Sequence, residues 1–204
     1  MADIHLCDDD LPDDFKPNSI VAVDTELTGL DVRRDKLCLV QISNGDGNAW
    51  LVKFQPNKQI NAPNLAGIMQ NKDITKILHF ARHDMAMLTR HLNVSCNNVY
   101  CTKIASRLVR TYTDKHGLRE LCREFLGINY DSTNQNSDWN VSQISPQQKE
   151  YAASDVLHLH AIKERLDQML QREGRAELAQ KCFDALQARV MLDLEGFSED
   201  IFAY

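Results

Sequence analysis

The sequence predicts a mixed α/β fold, a five-stranded sheet with helices packed on both faces, and three observations predict it. Three apolar, β-branched runs follow one another between residues 19 and 54, separated only by short turns, which is the pattern of an antiparallel meander. From residue 63 onward, helix-period and strand-period segments alternate. The length, 204 residues, suits one domain with a sizeable core, and residues 1–204 are expected to form a single domain.

Taken in order, Ser19 to Leu27 (SIVAVDTEL) fits a central strand ending in acidic residues. Thr28-Gly29-Leu30 and the charged stretch to Lys36 make a turn, and Leu37 to Ser43 (LCLVQIS) is the second strand. The run Asn44-Gly45-Asp46-Gly47-Asn48 is a hairpin-type connection to a third strand, Ala49 to Phe54. A short helix at Pro63–Gln70 precedes a fourth strand, Thr75 to Phe80. Ala81 to His91 has helical spacing, and Asn98 to Cys101 is a short fifth strand leading into a helix over Lys103–Arg110. Gly117 to Phe125 is amphipathic and stopped by Gly127. After a polar, irregular stretch, Ser145-Pro146 sets a cap and a first-turn proline ahead of a long helix to about Arg172. Gly174 interrupts it before a last helix, Arg175 to about Leu194.

Composition narrows the class. Hydrophobic residues at 43% and charged residues at 25% suit a globular protein, and no apolar run is long enough for a membrane span. The acidic segment Met1–Lys16 lacks the layout of a signal peptide. Six scattered cysteines with no CxxC pair predict reduced core thiols in a cytoplasmic protein. A net charge of −6 argues against binding nucleic acid mainly by nonspecific electrostatics, although carboxylates gathered around cations also lower the formal charge. Against that average, Lys103 to Arg123 carries a local excess of Lys and Arg. That stretch is either a solvated helix face or a guide for a phosphate backbone.

Three acidic clusters lie in apolar contexts, where a bare charge is costly. Asp24 and Glu26 are two apart on a strand, so they project from one face, and hard oxygen ligands so placed suit Mg²⁺ or Mn²⁺. A solvent-facing pair at a strand end is the plain alternative. Asp84 lies in the first turn of a helix, where a carboxylate also has an ordinary role. Tyr151 and Asp155, four apart on a helix, share a face, with Ala152 and Ala153 leaving room for close approach.

Their order and spacing, a strand-borne DxE, an Asp further on and then YxxxD, resemble the DEDD exonuclease superfamily, and within it the tyrosine branch found in ribonuclease D. Glu26-Leu27-Thr28-Gly29-Leu30, Leu39-Val40-Gln41-Ile42-Ser43, Ser137-Asp138-Trp139 and the stretch Gln148–Val156 strengthen the match, which covers roughly residues 3 to 172. The histidine branch would place a histidine five residues before the last aspartate, where this chain has Glu150; His158 and His160 follow Asp155 and are expected to be ordinary helix residues.

The resemblance implies a ribonuclease H-like sheet and 3′–5′ hydrolysis of phosphodiesters with two divalent ions, Mg²⁺ or Mn²⁺. Asp24 would bridge the ions, Glu26 and Asp155 would complete the water-activating site, and Asp84 would help place the second ion. Tyr151 would orient the attacking water, since a phenol with a pKa near 10 is a poor base at neutral pH. Leu27, Thr28 and Gly29 match the family's contacts to the terminal nucleotide. His79 and Trp139 are candidates for stacking or hydrogen bonding, with a core anchor the alternative for Trp139.

Two departures stand out. The lysine usual in ribonuclease D shortly before the Ser-Asp-Trp element is absent near Ser132, and the chain ends at Tyr204 without room for a C-terminal helical nucleic-acid-binding (HRDC) domain. Processivity and substrate choice therefore do not carry over. The expected partner is RNA, or single-stranded DNA, with a free 3′ end, since only contacts to the 2′-hydroxyl separate the two. A homodimer would extend the binding surface. The competing readings are a DNA exonuclease and a noncatalytic nucleic-acid-binding domain; the intact acidic set with Tyr151 argues against the second.

Overall fold

The computed structural model describes residues 2–129, 133–197, 199, 201 and 203. Its sheet has six strands rather than the five expected: β1 (Asp3–Asp8), β2 (Ile20–Leu27), β3 (Leu37–Ser43), β4 (Asn48–Lys53), β5 (Thr75–Leu78) and β6 (Val99–Cys101), in spatial order β1-β4-β3-β2-β5-β6. The meander β2–β3–β4 is antiparallel as anticipated, and β5 and β6 add to β2 in parallel. The additional strand, β1, pairs parallel with β4 at the sheet edge. Its sequence, DIHLCD, carries too few apolar residues to declare a strand, and none of its residues is fully buried. Pairing with β4 fixes it, and no pattern within the segment does.

The helices are α1 (Pro63–Gln70), α2 (Ala81–Leu92), α3 (Thr102–Val109), α4 (Leu118–Leu121), α5 (Pro146–Leu157), α6 (Leu159–Arg172), α7 (Ala176–Asp184) and α8 (Leu186–Glu195). A π-helical turn, Cys122–Leu126, continues α4 and stops at Gly127, whose φ of +69° makes the expected left-handed cap. The helix expected to run unbroken to Arg172 is divided at His158, and the last helix at Ala185. Neither junction holds Pro or Gly, so packing redirects the chain: α5 lies against β2, β3 and β4, while α6 lies mainly against α3.

Helices cover both faces. Register pairs Asp24 with Gln41, Glu26 with Leu39 and Gln41 with Leu51, so these residues share one face of the sheet. On that face Leu39 and Leu51 pack with Ala152 of α5 and with Trp139. Thr25 and its partner Val40 point the other way, toward α2. The departure at Ser132 lies outside the described residues.

Candidate active site

The parallel strands β2, β5 and β6 end on the same edge of the sheet, where sites in α/β folds are commonly built. Ala22 pairs with Ile77, so Asp24 and His79 lie two residues beyond one rung; Leu78 pairs with Cys101, so Phe80 and Lys103 lie two beyond the next. All of these except Cys101, Ala22 and the β5 residues line one cavity of about 850 Å³, together with Glu26, Tyr151 and Asp155.

Asp24, Glu26 and Asp155 each offer an oxygen, and these lie within 4.8 Å of one another. Glu26 and Asp155 are buried and Asp24 is partly so. Alternation along β2 supplies the first pair; the third arrives on α5, whose rotation is fixed by its start. Ser145 Oγ accepts from the Gln148 backbone N–H at 3.1 Å, and Gln148 Oε1 accepts from the Ser145 N–H at 2.9 Å, a reciprocal capping box with Pro146 in the first turn. From that fixed origin the buried Ala152 and Ala153 let α5 approach the sheet, and Asp155 reaches the β2 carboxylates.

Asp84 stands outside the tight trio, but its negative charge acts on Asp24 and Glu26. It is buried in the first turn of α2 and accepts a hydrogen bond from Thr25 Oγ1 at 2.6 Å. The residue between the two strand carboxylates thus tethers the fourth across the sheet. Replacing Thr25 by Val keeps the branched shape and removes the donor, leaving a buried carboxylate oxygen short of a partner. We predict a loss of about 1–3 kcal/mol in stability by urea unfolding; unchanged stability would dismiss the tether.

Electrostatically the cluster is poised against itself. Burial first, then the negative charges of Asp155, Asp84 and Glu26, push the Asp24 carboxyl well above the usual range. Burial and then Asp155 and Asp84 raise Glu26, although the Gln41 amide, 3.4 Å from Oε1, opposes this. Burial raises Asp84 too, and the Thr25 hydroxyl opposes it. Each group would be stabilised in its ionised form by a cation, and a set of hard carboxylate oxygens this close fits a divalent metal.

The other residues singled out in the sequence divide. Leu27, Thr28 and Gly29 line the cavity directly after the DxE strand. A side chain at Gly29 would sit 2.4 Å from Asp35 Oδ2, so the Asp35 carboxylate, which accepts from the Asp31 N–H, would have to give way. His79 also lines the cavity, with Nδ1 2.9 Å from Thr102 Oγ1; burial lowers its pKa to about 3, so it is neutral. Trp139 is only 2% exposed, packs with Leu39, Leu51 and Ala152, and lies 6.1 Å from the Tyr151 ring. Trp139 is thus packed as a core anchor would be, and it also lines the cavity beside Tyr151 and Asp155. His160 bonds the Ile20 carbonyl, as an ordinary helix residue would. The basic stretch is not one surface: Arg110 is buried against Ser106, the Lys115 carbonyl and Glu124, whereas Lys103 and Arg119 reach the cavity.

Thr25, Gln41 and Phe80 were not singled out as site residues. A glutamine within the wholly buried run of β3 was the available signal, because such an amide needs a partner. Thr25 and Phe80 gave none.

A ribonuclease H-like sheet with a strand-borne carboxylate pair, a buried Asp on one helix and a YxxxD on another defines the DEDD class of nucleases. Residues 10–171 match the family model described as 3′-5′ exonuclease. The chain belongs to the 3′–5′ exonuclease family, and within it is ribonuclease D-like. The ribonuclease D of Gluconacetobacter diazotrophicus is 29% identical over 160 residues, which are 77% of this chain and 39% of that enzyme. The chain spans about two fifths of the length of the curated ribonuclease D relatives it matches. The solved structure of Brucella melitensis NrnC bound to pGG is 45% identical, covers 100% of both chains and superimposes with a TM-score of 0.94. The same protein with bound Mg²⁺ is 46% identical, covers 99% of each chain and gives 0.93.

Proposed function

We propose that the chain hydrolyses RNA from a free 3′ end, with Asp24, Glu26, Asp84 and Asp155 holding two divalent ions, Mg²⁺ or Mn²⁺. The observation that carries this reading is the convergence of Asp24, Glu26 and Asp155 within 4.8 Å at the floor of an open cavity. Bound there, the ions would supply an activated water and cover for charge developing on the leaving oxygen. The chain's own residues do the rest. Tyr151, one helical turn before Asp155, holds the attacking water in line with the phosphorus. Leu27, Thr28 and Gly29 seat the terminal nucleotide, and His79, held neutral, offers its remaining ring nitrogen as a hydrogen-bonding group. Residues 1–204 act as one exonuclease domain. The binding of pGG by the Brucella relative supports RNA as the substrate. The buried, unpaired thiols of Cys38, Cys96, Cys101 and Cys122 support a cytoplasmic setting.

The test uses 5′-labelled RNA with a free or blocked 3′-hydroxyl, DNA of the same sequence, and pGG, each with Mg²⁺, Mn²⁺ or EDTA. Stepwise shortening of unblocked RNA, conversion of pGG to mononucleotide, and silence in EDTA are expected. Internal cleavage, or activity that persists in EDTA, overturns the proposal. Faster hydrolysis of DNA than of RNA would replace the exoribonuclease with a DNA exonuclease using the same site.

A further inference from the structure

One corner of the cavity holds an aromatic side chain that the carboxylate chemistry does not use. Phe80 follows β5 and immediately precedes α2, the helix that carries Asp84. Its backbone is left-handed, φ 65° and ψ 41°. Among the described residues, the other non-glycine positions with positive φ are Asp9, Asn57, Asn93 and Asn98, types that tolerate this region. A phenylalanine does so only at a cost, and strained residues of this kind gather at functional sites.

The strain is not repaid by burial. Phe80 is 45% exposed and lines the catalytic cavity as well as a smaller one beside it. Instead it meets a cation: Lys103 Nζ lies 4.0 Å from the ring centroid. Register explains the meeting, because Leu78 and Cys101 are paired on adjacent parallel strands and each chain runs on two residues. The neighbours on both sides are pinned, His79 to Thr102 and Thr102 to the Leu78 carbonyl at 3.2 Å. An exposed ring and a lysine ammonium are therefore held side by side, on a fixed base, in the wall that contains Asp24, Glu26 and Asp155.

We propose that Phe80 and Lys103 form a substrate platform, the ring stacking on a nucleobase while the ammonium that braces it pairs with the adjoining phosphate. Aromatic faces accept any base, so the platform positions the strand without selecting its sequence. Its place beside the carboxylates makes it a contact for one of the last two nucleotides. The inference rests on nucleic acid being the substrate.

The experiment measures kcat and KM for wild type, Phe80→Ala, Phe80→Trp, Lys103→Met and Arg107→Met on a short RNA. The same RNA is also used with an abasic residue at the last or the penultimate position. Phe80→Ala is expected to raise KM about tenfold or more on the intact RNA. The rise should largely disappear on one of the two abasic RNAs, and Phe80→Trp should return KM toward the wild-type value. Lys103→Met is expected to raise KM and to flatten its dependence on salt by about one phosphate contact, a change that Arg107→Met, at an exposed position one turn further along α3 and outside the cavity lining, does not produce. Thermal unfolding run alongside separates misfolding from lost contact, and Phe80→Trp keeps the question answerable if Phe80→Ala unfolds. A Phe80→Ala effect that is absent, or equal on intact and both abasic RNAs, overturns the platform. A wild-type protein inactive on RNA and DNA alike overturns the exonuclease reading and the platform with it.

Discussion

Replacing Asp24 by Asn is expected to slow hydrolysis about a thousandfold while making the metal-free protein more stable. Asp24 sits where the charges of Asp155, Asp84 and Glu26 meet, and asparagine keeps its shape while removing one negative charge and one strong metal ligand. Electrostatic cover of a phosphoryl group by a bound cation is worth several kcal/mol, so the rate should fall by about 10³-fold. In EDTA the same change relieves like-charge repulsion in a buried setting, and the melting temperature should rise by roughly a few degrees, at about 2–4 °C per kcal/mol for a chain of this size. Opposite signs in the two readouts are what distinguish a functional carboxylate from a structural one. Single-turnover hydrolysis of 5′-labelled RNA and a thermal melt in EDTA check both. A variant that keeps wild-type activity, or one that is inactive because it is unfolded, would remove Asp24 from the site.

Adding Mg²⁺ or Mn²⁺ is expected to raise the melting temperature, and by more as pH rises. A ligand bound only to the folded state stabilises by about 2.7 kcal/mol at one hundred times its Kd, or roughly 5–10 °C here. The pH dependence follows from the direction of the carboxylate shifts. Asp24, Glu26 and Asp84 hold their protons more tightly folded than unfolded. Below the ordinary carboxylate range both states are protonated and nothing is lost. As pH rises the unfolded chain releases protons first, so metal-free stability falls until the raised folded values are passed.

Buried histidines act in the opposite sense. His79, lowered to about 3, adds stability as pH climbs to its unfolded value near 6.5 and no more above it. Lys76, lowered to about 8 by burial and donating to the Asn71 and Ile74 carbonyls, adds stability at higher pH still. The carboxylate effect is therefore read as a difference: in EDTA, wild type minus Glu26→Gln should become more negative between pH 5 and pH 8. Saturating metal should shrink that difference. Melting temperatures that ignore divalent ions at every pH, with monovalent salt matched, would refute a metal site here.

Much of this site was legible in advance because its signals are local. Two carboxylates two residues apart on a β-branched strand must share a face, and a capping serine ahead of proline fixes where α5 begins and thus where Tyr151 and Asp155 point. Those rules involve a few neighbouring residues and need no tertiary partner. The meander and the stop at Gly127 follow from the same short-range chemistry.

What was not legible depended on contacts between distant segments. β1 is a strand because β4 offers it an edge, and DIHLCD alone does not ask for one. The breaks at His158 and Ala185 occur without a helix breaker, where α5 and α6 pack on different neighbours. Trp139 reads equally as a stacking surface or a core anchor in sequence, and only the fold shows it both packed against Leu39, Leu51 and Ala152 and placed in the cavity lining. The Lys103–Arg123 excess of charge looked like one patch, yet Arg110 is buried in it.

By itself, then, the sequence pointed to the acidic set, the elements that carry it and the family those motifs match, since DxE and YxxxD are short-range spacings and their order along the chain with Asp84 between them is read directly. Only the tertiary structure decided how Asp84 is tied through Thr25, that Gln41 faces Glu26, and that Phe80 meets Lys103 across two strand ends. Those pairings join residues far apart in the chain, and their geometry exists only once the sheet register has been set by burying its two faces.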